Sequence, residues 1–270
     1  MRPIHFISGL PRSGSTLLSA ILRQNPRFHA AMSGPLAGLF NTLQGEMSGR
    51  NEFSVFIADQ QRRHVLQGLV ENFYRDVSGA EVIFDSHRLW CTKLPAISEL
   101  FPEAKIIACV RHVPWVLDSI ERLARKNWLQ PSSIFNYQPG GTVFSRAESL
   151  TAQDGLVGFA FRALKEAFFG DCTSSLMLLQ YETLVKDPGL SISAVYEFLQ
   201  EPGFSHDFEH VEYSAEAFDT RAGMPGLHRV RQAVGYQERT TILPPDLFMR
   251  YENESFWRKS ALNLRNVRIV

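Results

Sequence analysis

Apolar positions fall into two patterns along this chain. Four short runs, 4–8, 81–85, 105–110 and 175–181, are almost continuously apolar or β-branched, as strands buried on both faces are. At least three lead into segments with helical spacing, 16–23 after the first, 115–126 after the third and 191–199 after the fourth. This alternation predicts parallel β/α units: an α/β fold with one core and a parallel sheet flanked by helices on both faces, whose ligands sit at the carboxyl ends of the strands. Residues 53–76 place Phe56, Val65, Leu66, Leu69, Val70 and Phe73 on one side and Asp59, Arg62, Arg63 and Glu71 on the other, the pattern of a packing helix. Two stretches break both periods. Residues 128–151, with Pro131, Ser132, Ser133, Pro139, Gly140 and Gly141, read as a long loop suited to a lid or substrate wall, and residues 218–245, with Gly223, Pro225, Gly226, Gly235, Pro244, Pro245 and four arginines, read as a second irregular segment.

Composition narrows the function classes. In 270 residues, 28 Lys+Arg balance 28 Asp+Glu, so no global field is expected to hold a nucleic-acid backbone, and any anion site must be local. Hydrophobic content of 44% and charged content of 21% are ordinary for a folded globular chain. Cys91, Cys109 and Cys172 have neither the number nor the spacing of a disulfide framework or zinc knuckle, which fits a reducing compartment. No run approaches the roughly eighteen apolar residues needed to span a bilayer, and Met1 leads straight into an apolar strand and a glycine turn. The expectation is a cytoplasmic protein without metal.

The strongest local signal is Ser8-Gly9-Leu10-Pro11-Arg12-Ser13-Gly14-Ser15-Thr16-Leu17-Leu18, a strand end, a glycine-bounded turn and a helix start. Backbone N–H groups of such a loop converge on an anion, and the positive end of the helix adds to their field. The Gly-x-x-x-x-Gly frame matches a nucleoside-triphosphate P-loop, but Ser15 stands where such loops carry lysine, and the basic residue has moved inside, to Arg12. A P-loop kinase uses that lysine on the transferring phosphoryl group, so a small-metabolite kinase is the lesser alternative.

Residues 11–18, Pro-Arg-Ser-Gly-Ser-Thr-Leu-Leu, resemble the 5′-phosphosulfate loop of sulfotransferases that use 3′-phosphoadenosine 5′-phosphosulfate (PAPS), in particular their bacterial and tyrosylprotein branches. The resemblance continues through Lys105-Ile-Ile-Ala-Cys-Val-Arg111 to Ser119, where the family has an arginine and, eight residues on, a serine that bind the 3′-phosphate. It extends to Tyr181-Glu182-Thr183-Leu184 with Asp187-Pro188, whose family tyrosine lies near the nucleotide. The matches span residues 4–188. The segment Leu227-His228-Arg229-Val230-Arg231 occupies the place where the family closes a basic loop over the nucleotide, which implies Arg229 and Arg231 as further contacts. The resemblance implies a single sulfotransferase domain over residues 1–270, with a phosphosulfate-binding core of about 1–200. It implies Pro11, Arg12, Ser13, Gly14, Ser15, Thr16, Arg111, Ser119 and Tyr181 as cofactor-binding residues and PAPS as sulfuryl donor.

Sulfuryl transfer needs the acceptor's proton removed and charge on the leaving phosphate oxygen stabilised. Arg12 suits the second task. For the first, residues 30–35 lack the glutamate of tyrosylprotein relatives. Counting back from Arg111 to the strand-end histidine of cytosolic relatives reaches Asp85-Ser86-His87-Arg88, with His87 the leading base, Asp85 its rival or orienter, and Arg88 a charge for the sulfonate. A competing alignment through Cys91-Thr92-Lys93-Leu94-Pro95 makes Lys93 catalytic. A nucleotide-binding protein that has lost its base is the remaining alternative. The acceptor, a small molecule or peptide, is expected beside residues 131–149, and Phe40, Phe53, Phe56, Trp90, Trp128, Phe135, Tyr137 and Phe144 are candidates for an aromatic or lipid pocket. Neither its chemical class nor the oligomeric state is legible.

Overall fold

The computed structural model describes residues 2–129 and 141–270. Its strands are β1 (Ile4–Gly9), β2 (Phe28–Ala30), β3 (Val82–Ser86), β4 (Ile106–Val110), β5 (Leu176–Gln180) and β6 (Arg268–Ile269), in one sheet of order β2-β3-β1-β4-β5-β6. Every pairing is parallel, with Phe6 opposite both Asp85 and Ile106, and Cys109 opposite Leu179. The helices are α1 (Ser15–Leu22), α2 (Leu36–Glu46), α3 (Asp59–Phe73), α4 (Leu94–Leu100), α5 (Val113–Lys126), α6 (Val143–Thr151), α7 (Leu156–Phe169), α8 (Tyr181–Lys186), α9 (Pro188–Leu199), α10 (Glu216–Arg221) and α11 (Pro245–Glu252).

Both faces of the sheet are covered, which is why its strands read as continuous apolar runs rather than alternations. Phe6, Ile106, Ala108 and Leu178 face a core completed by α2, α3, α4, α5 and α7, and Ile7, Ile107, Cys109 and Leu179 face one completed by α1 and α9. Two polar side chains inside β1 are satisfied locally. The backbone N–H of Lys105 donates to His5 Nδ1 at 3.1 Å, and Ser8 Oγ donates to the Arg88 carbonyl while accepting from the Cys91 N–H, each at 3.2 Å. The second arrangement ties the turn after β3 to β1. Cys91 and Cys109 are buried, and burial pushes their thiols up to about 11 and about 12.

The structure departs from the sequence expectations in three places. The stretch 53–76 is not one helix: a 3₁₀ turn, Glu52–Phe56, capped by the Asn51 side chain, precedes α3, and Phe56 is 80% exposed while Leu66 and Val70 point inward. Within 128–151, residues 143–151 are helical, because Thr142 caps α6 by accepting the Ser145 N–H at 3.2 Å and Ala147 and Leu150 are buried. Residues 130–140, with Phe135 and Tyr137, lie outside the described residues. Of the other proposed pocket aromatics, Phe40 and Trp90 are core, whereas Phe53, Trp128 and Phe144 are exposed. No helix of the described residues is long and apolar enough to cross a membrane.

Candidate functional site

The loop between β1 and α1 turns on backbone geometry that its glycines permit. Gly9 has φ +102, and a Cβ there would lie 2.1 Å from the Cys109 carbonyl oxygen of the neighbouring strand. Gly14, at φ +93, caps α1 without a side-chain bond, and a Cβ would lie 2.9 Å from Tyr181 Cδ2. Arg12 also adopts positive φ, 58°, at a cost of about 1–2 kcal/mol for a residue with a Cβ. That strained backbone turns the guanidinium inward, where Nε donates to Ser119 Oγ at 3.3 Å and Nη1 donates to the Leu227 carbonyl. Thus one residue joins the loop, α5 and the carboxyl-terminal segment.

At the carboxyl ends of β1, β3, β4 and β5 lies a cavity of about 320 Å³. Its wall includes Pro11, Arg12, Gly14, Ser15 and Thr16 from the loop, Arg88 after β3, Arg111 after β4, Ser119 of α5, Tyr181 at the start of α8, and Leu227, His228, Arg229, Arg231 and Arg239 from the carboxyl-terminal segment. Ser13 does not line it; its hydroxyl is buried and donates to the Pro11 carbonyl at 3.4 Å. A neighbouring cavity of about 230 Å³ shares Arg111, Tyr181, Arg231 and Arg239 and adds Trp115, Tyr236 and Arg258.

The electrostatics of this wall are one-sided. No carboxylate lines the larger cavity among the described residues, and no ion pair neutralises Arg12, Arg88, Arg111, Arg229 or Arg231 there. Burial, with Arg111 next to it, pushes the Arg12 guanidinium down to about 10, and burial also pushes Arg88 and Arg111 down. Cations so crowded gain from a bound anion, which restores the charge balance that burial removed. Arg111 lies over the Tyr181 ring, 4.3 Å from its centroid, and Nη1 donates to the Arg12 carbonyl at 3.3 Å. Arg239 has an acidic neighbour, Asp118, at 2.8 Å, yet its buried Nε and Nη2 make no aligned hydrogen bond.

The bases expected from the sequence are placed elsewhere. His87 caps the turn after β3 by accepting the Leu89 N–H on Nδ1 at 3.1 Å, so the neutral ring carries its proton on Nε2, and burial pulls it down to about 4. Its vacant lone pair is therefore spent on structure. Asp85 is buried, accepting from Tyr74 Oη and, at 2.6 Å, from Trp90 Nε1; burial raises its carboxyl above the usual range. Lys93 Nζ donates to Gln44 Oε1 at 2.8 Å. None of the three lines the larger cavity, whereas Arg88 does.

The model of the sulfotransferase family matches residues 3–206. The chain belongs to the sulfotransferase family. As a sulfotransferase its activity class is transfer of a sulfuryl group, and one solved neighbour, the first described below, shares the α/β architecture. The sulfotransferase domain from the Synechococcus PCC 7002 olefin synthase superposes with TM-score 0.52 at 17% identity over 94% of each chain. The sulfotransferase domain from the curacin biosynthetic pathway gives 0.49 at 18% identity over 76% of each chain. A sulfotransferase from Alicyclobacillus acidocaldarius gives 0.46 at 15%, over 82% of this chain and 93% of its own. No curated protein matches the chain. This sulfotransferase also carries two ionisable wall residues that the sequence reasoning missed, Arg239 and His228. Arg239 has no motif to announce it, and His228 stands in the quoted basic segment with nothing nearby in sequence to mark its partner.

Proposed function

We propose that this sulfotransferase uses PAPS and transfers its sulfuryl group in line to a hydroxyl or amine acceptor. The observation that carries this reading is the convergence of Arg12, Arg88, Arg111 and Arg239 on one cavity beside the open amino terminus of α1, with no carboxylate in its wall among the described residues. In this reading the loop residues 11–16 hold the 5′-phosphosulfate, with Ser13 shaping the turn from below, and Arg12 stabilises charge on the leaving phosphate oxygen. Arg111 and Ser119 hold the 3′-phosphate, Tyr181 borders the nucleotide, and Arg229 and Arg231, both exposed, close the mouth. Arg88 stands by for the sulfonate. Residues 1–270 act as one domain in the cytoplasm, and the chemistry is complete without a metal. The acceptor is a small molecule or peptide bearing the nucleophile.

The kinase alternative receives no support from the wall, since no lysine lines the larger cavity among the described residues. Titration calorimetry with 3′-phosphoadenosine 5′-phosphate in chelator-treated buffer, and with ATP–Mg separately, tests the choice. Micromolar binding of the bisphosphate with no heat from ATP–Mg supports the PAPS reading; the reverse pattern overturns it.

A further inference from the structure

The cavity wall contains one imidazole, that of His228, and its geometry differs from that of His87 in the respect that matters for proton transfer. His228 Nδ1 donates to Asp219 Oδ1 at 2.6 Å, and the backbone N–H of His228 donates to Asp219 Oδ2 at 2.9 Å. A carboxylate only accepts, so the ring is held with its proton on Nδ1 and its lone pair on Nε2. Nε2 has no hydrogen-bond partner among the described residues. Asp219 is buried, and the Phe218 ring stands edge-on to the imidazole with centroids 5.5 Å apart, so orientation is fixed from two sides. The residue before His228, Leu227, receives Arg12 through its carbonyl, which ties the imidazole to the loop. We propose that His228 Nε2 removes the proton of the sulfuryl acceptor and that Asp219 is its positioning residue, an assignment that rests on the PAPS reading above.

The step balances without a further reactant. The acceptor oxygen forms its bond to sulfur as its proton passes to His228 Nε2. The bond from sulfur to the bridging oxygen breaks, and its electron pair stays on the 5′-phosphate of the departing bisphosphate, facing Arg12. His228 then returns the proton to solvent. The titratable and charged groups around the dyad are Asp219 itself, from α10, Arg12, from the loop after β1, Tyr213, whose ionisation the Asp219 charge disfavours, and the adjoining Arg229. The wall's other ionisable groups are arginines and Tyr181, the last stacked under Arg111.

The test uses the full chain, with PAPS as donor and 2-naphthol and water as acceptor probes, following release of the bisphosphate. His228→Gln is expected to lower turnover about 100-fold with bisphosphate affinity within about threefold of wild type. Asp219→Asn is expected to lower kcat, leave KM for PAPS nearly unchanged and displace the acid limb of the kcat–pH profile. Turnover of His228→Gln within threefold of wild type overturns the inference. Where the wild type binds the bisphosphate but turns over neither probe, the ring tautomer of His228 decides the inference; a wild type that fails to bind the bisphosphate overturns the PAPS reading instead. Nitrogen-15 spectra of the histidine rings give a reading independent of turnover: the Nδ1–H tautomer at His228 is expected, and the Nε2–H tautomer overturns the inference.

Discussion

Arg111 sits at the carboxyl end of β4, where the strand delivers it beside the loop and the Tyr181 ring supports its planar face from 4.3 Å. Burial already disfavours its charge, so a phosphate that restores the balance binds it strongly, and truncation leaves that phosphate without its forked donor. Arg111→Ala is expected to weaken 3′-phosphoadenosine 5′-phosphate binding by about 2–4 kcal/mol while barely changing adenosine 5′-phosphosulfate, which lacks the 3′-phosphate. Parallel calorimetric titrations of both nucleotides check this; equal losses would place Arg111 elsewhere along the ligand. The histidines make a related point at the same scale. His87 and His228 are the same residue type, yet one accepts a backbone N–H on Nδ1 and the other donates to a carboxylate from it. Only the second ring lines the larger cavity, and its Nε2 lone pair has no partner among the described residues, a distinction of hydrogen-bond direction that spacing along a chain does not encode.

Among the elements, those whose residues carry the period themselves were legible. β1, β3, β4 and β5 lie within a residue or two of their apolar runs, and α1, α5 and α9 follow three of them as expected. β2 and β6 were not, because three and two residues are too few to show a period; they exist because β3 and β5 offer unpaired edges. The loop after β1 was legible because Gly9 and Gly14 are demanded locally by backbone geometry, whereas Arg12 holds its positive φ against that preference. The carboxyl-terminal segment was legible only as irregular, since long-range bonds hold it. Asp118 of α5, fully buried, accepts from the Ile242 N–H at 2.8 Å and Thr241 Oγ1 at 3.1 Å, and pairs with Arg122 at 2.9 Å and Arg239 at 2.8 Å. Removing that carboxylate strands two guanidiniums that are partly exposed, so Asp118→Ala is expected to cost about 3 kcal/mol of stability, the lower end for a broken buried pair. Asp118→Asn keeps an acceptor for the Ile242 N–H and is expected to cost less. Denaturant midpoints at unchanged m-value check the order, and bisphosphate affinity is expected to fall with both as Arg239 loses its hold. Equal midpoints for wild type and Asp118→Ala would mean that other contacts fix the segment.

The molecule as a whole keeps several imidazoles neutral by burying them, which links its stability to pH. Burial pulls His5 and His87 down to about 4, and lowers His29 and His206 as well. The unfolded chain protonates these rings near pH 6.5, before the folded chain does, so unfolding takes up protons and stability falls as pH drops from about 6.5 toward 4. Asp85 works in the opposite sense, because its raised carboxyl protonates first in the folded state. His5 is 4% exposed inside β1, and its shift alone amounts to a loss on the order of 3 kcal/mol by pH 4. His5→Gln removes that titration while a side-chain oxygen remains to accept the Lys105 N–H. The variant is expected to be less dependent on pH between 6.5 and 4 than the wild type, whatever its stability at neutral pH. Melting temperatures across that window decide the matter, because a variant whose slope equals the wild type's would show that His5 takes up its proton without unfolding the sheet.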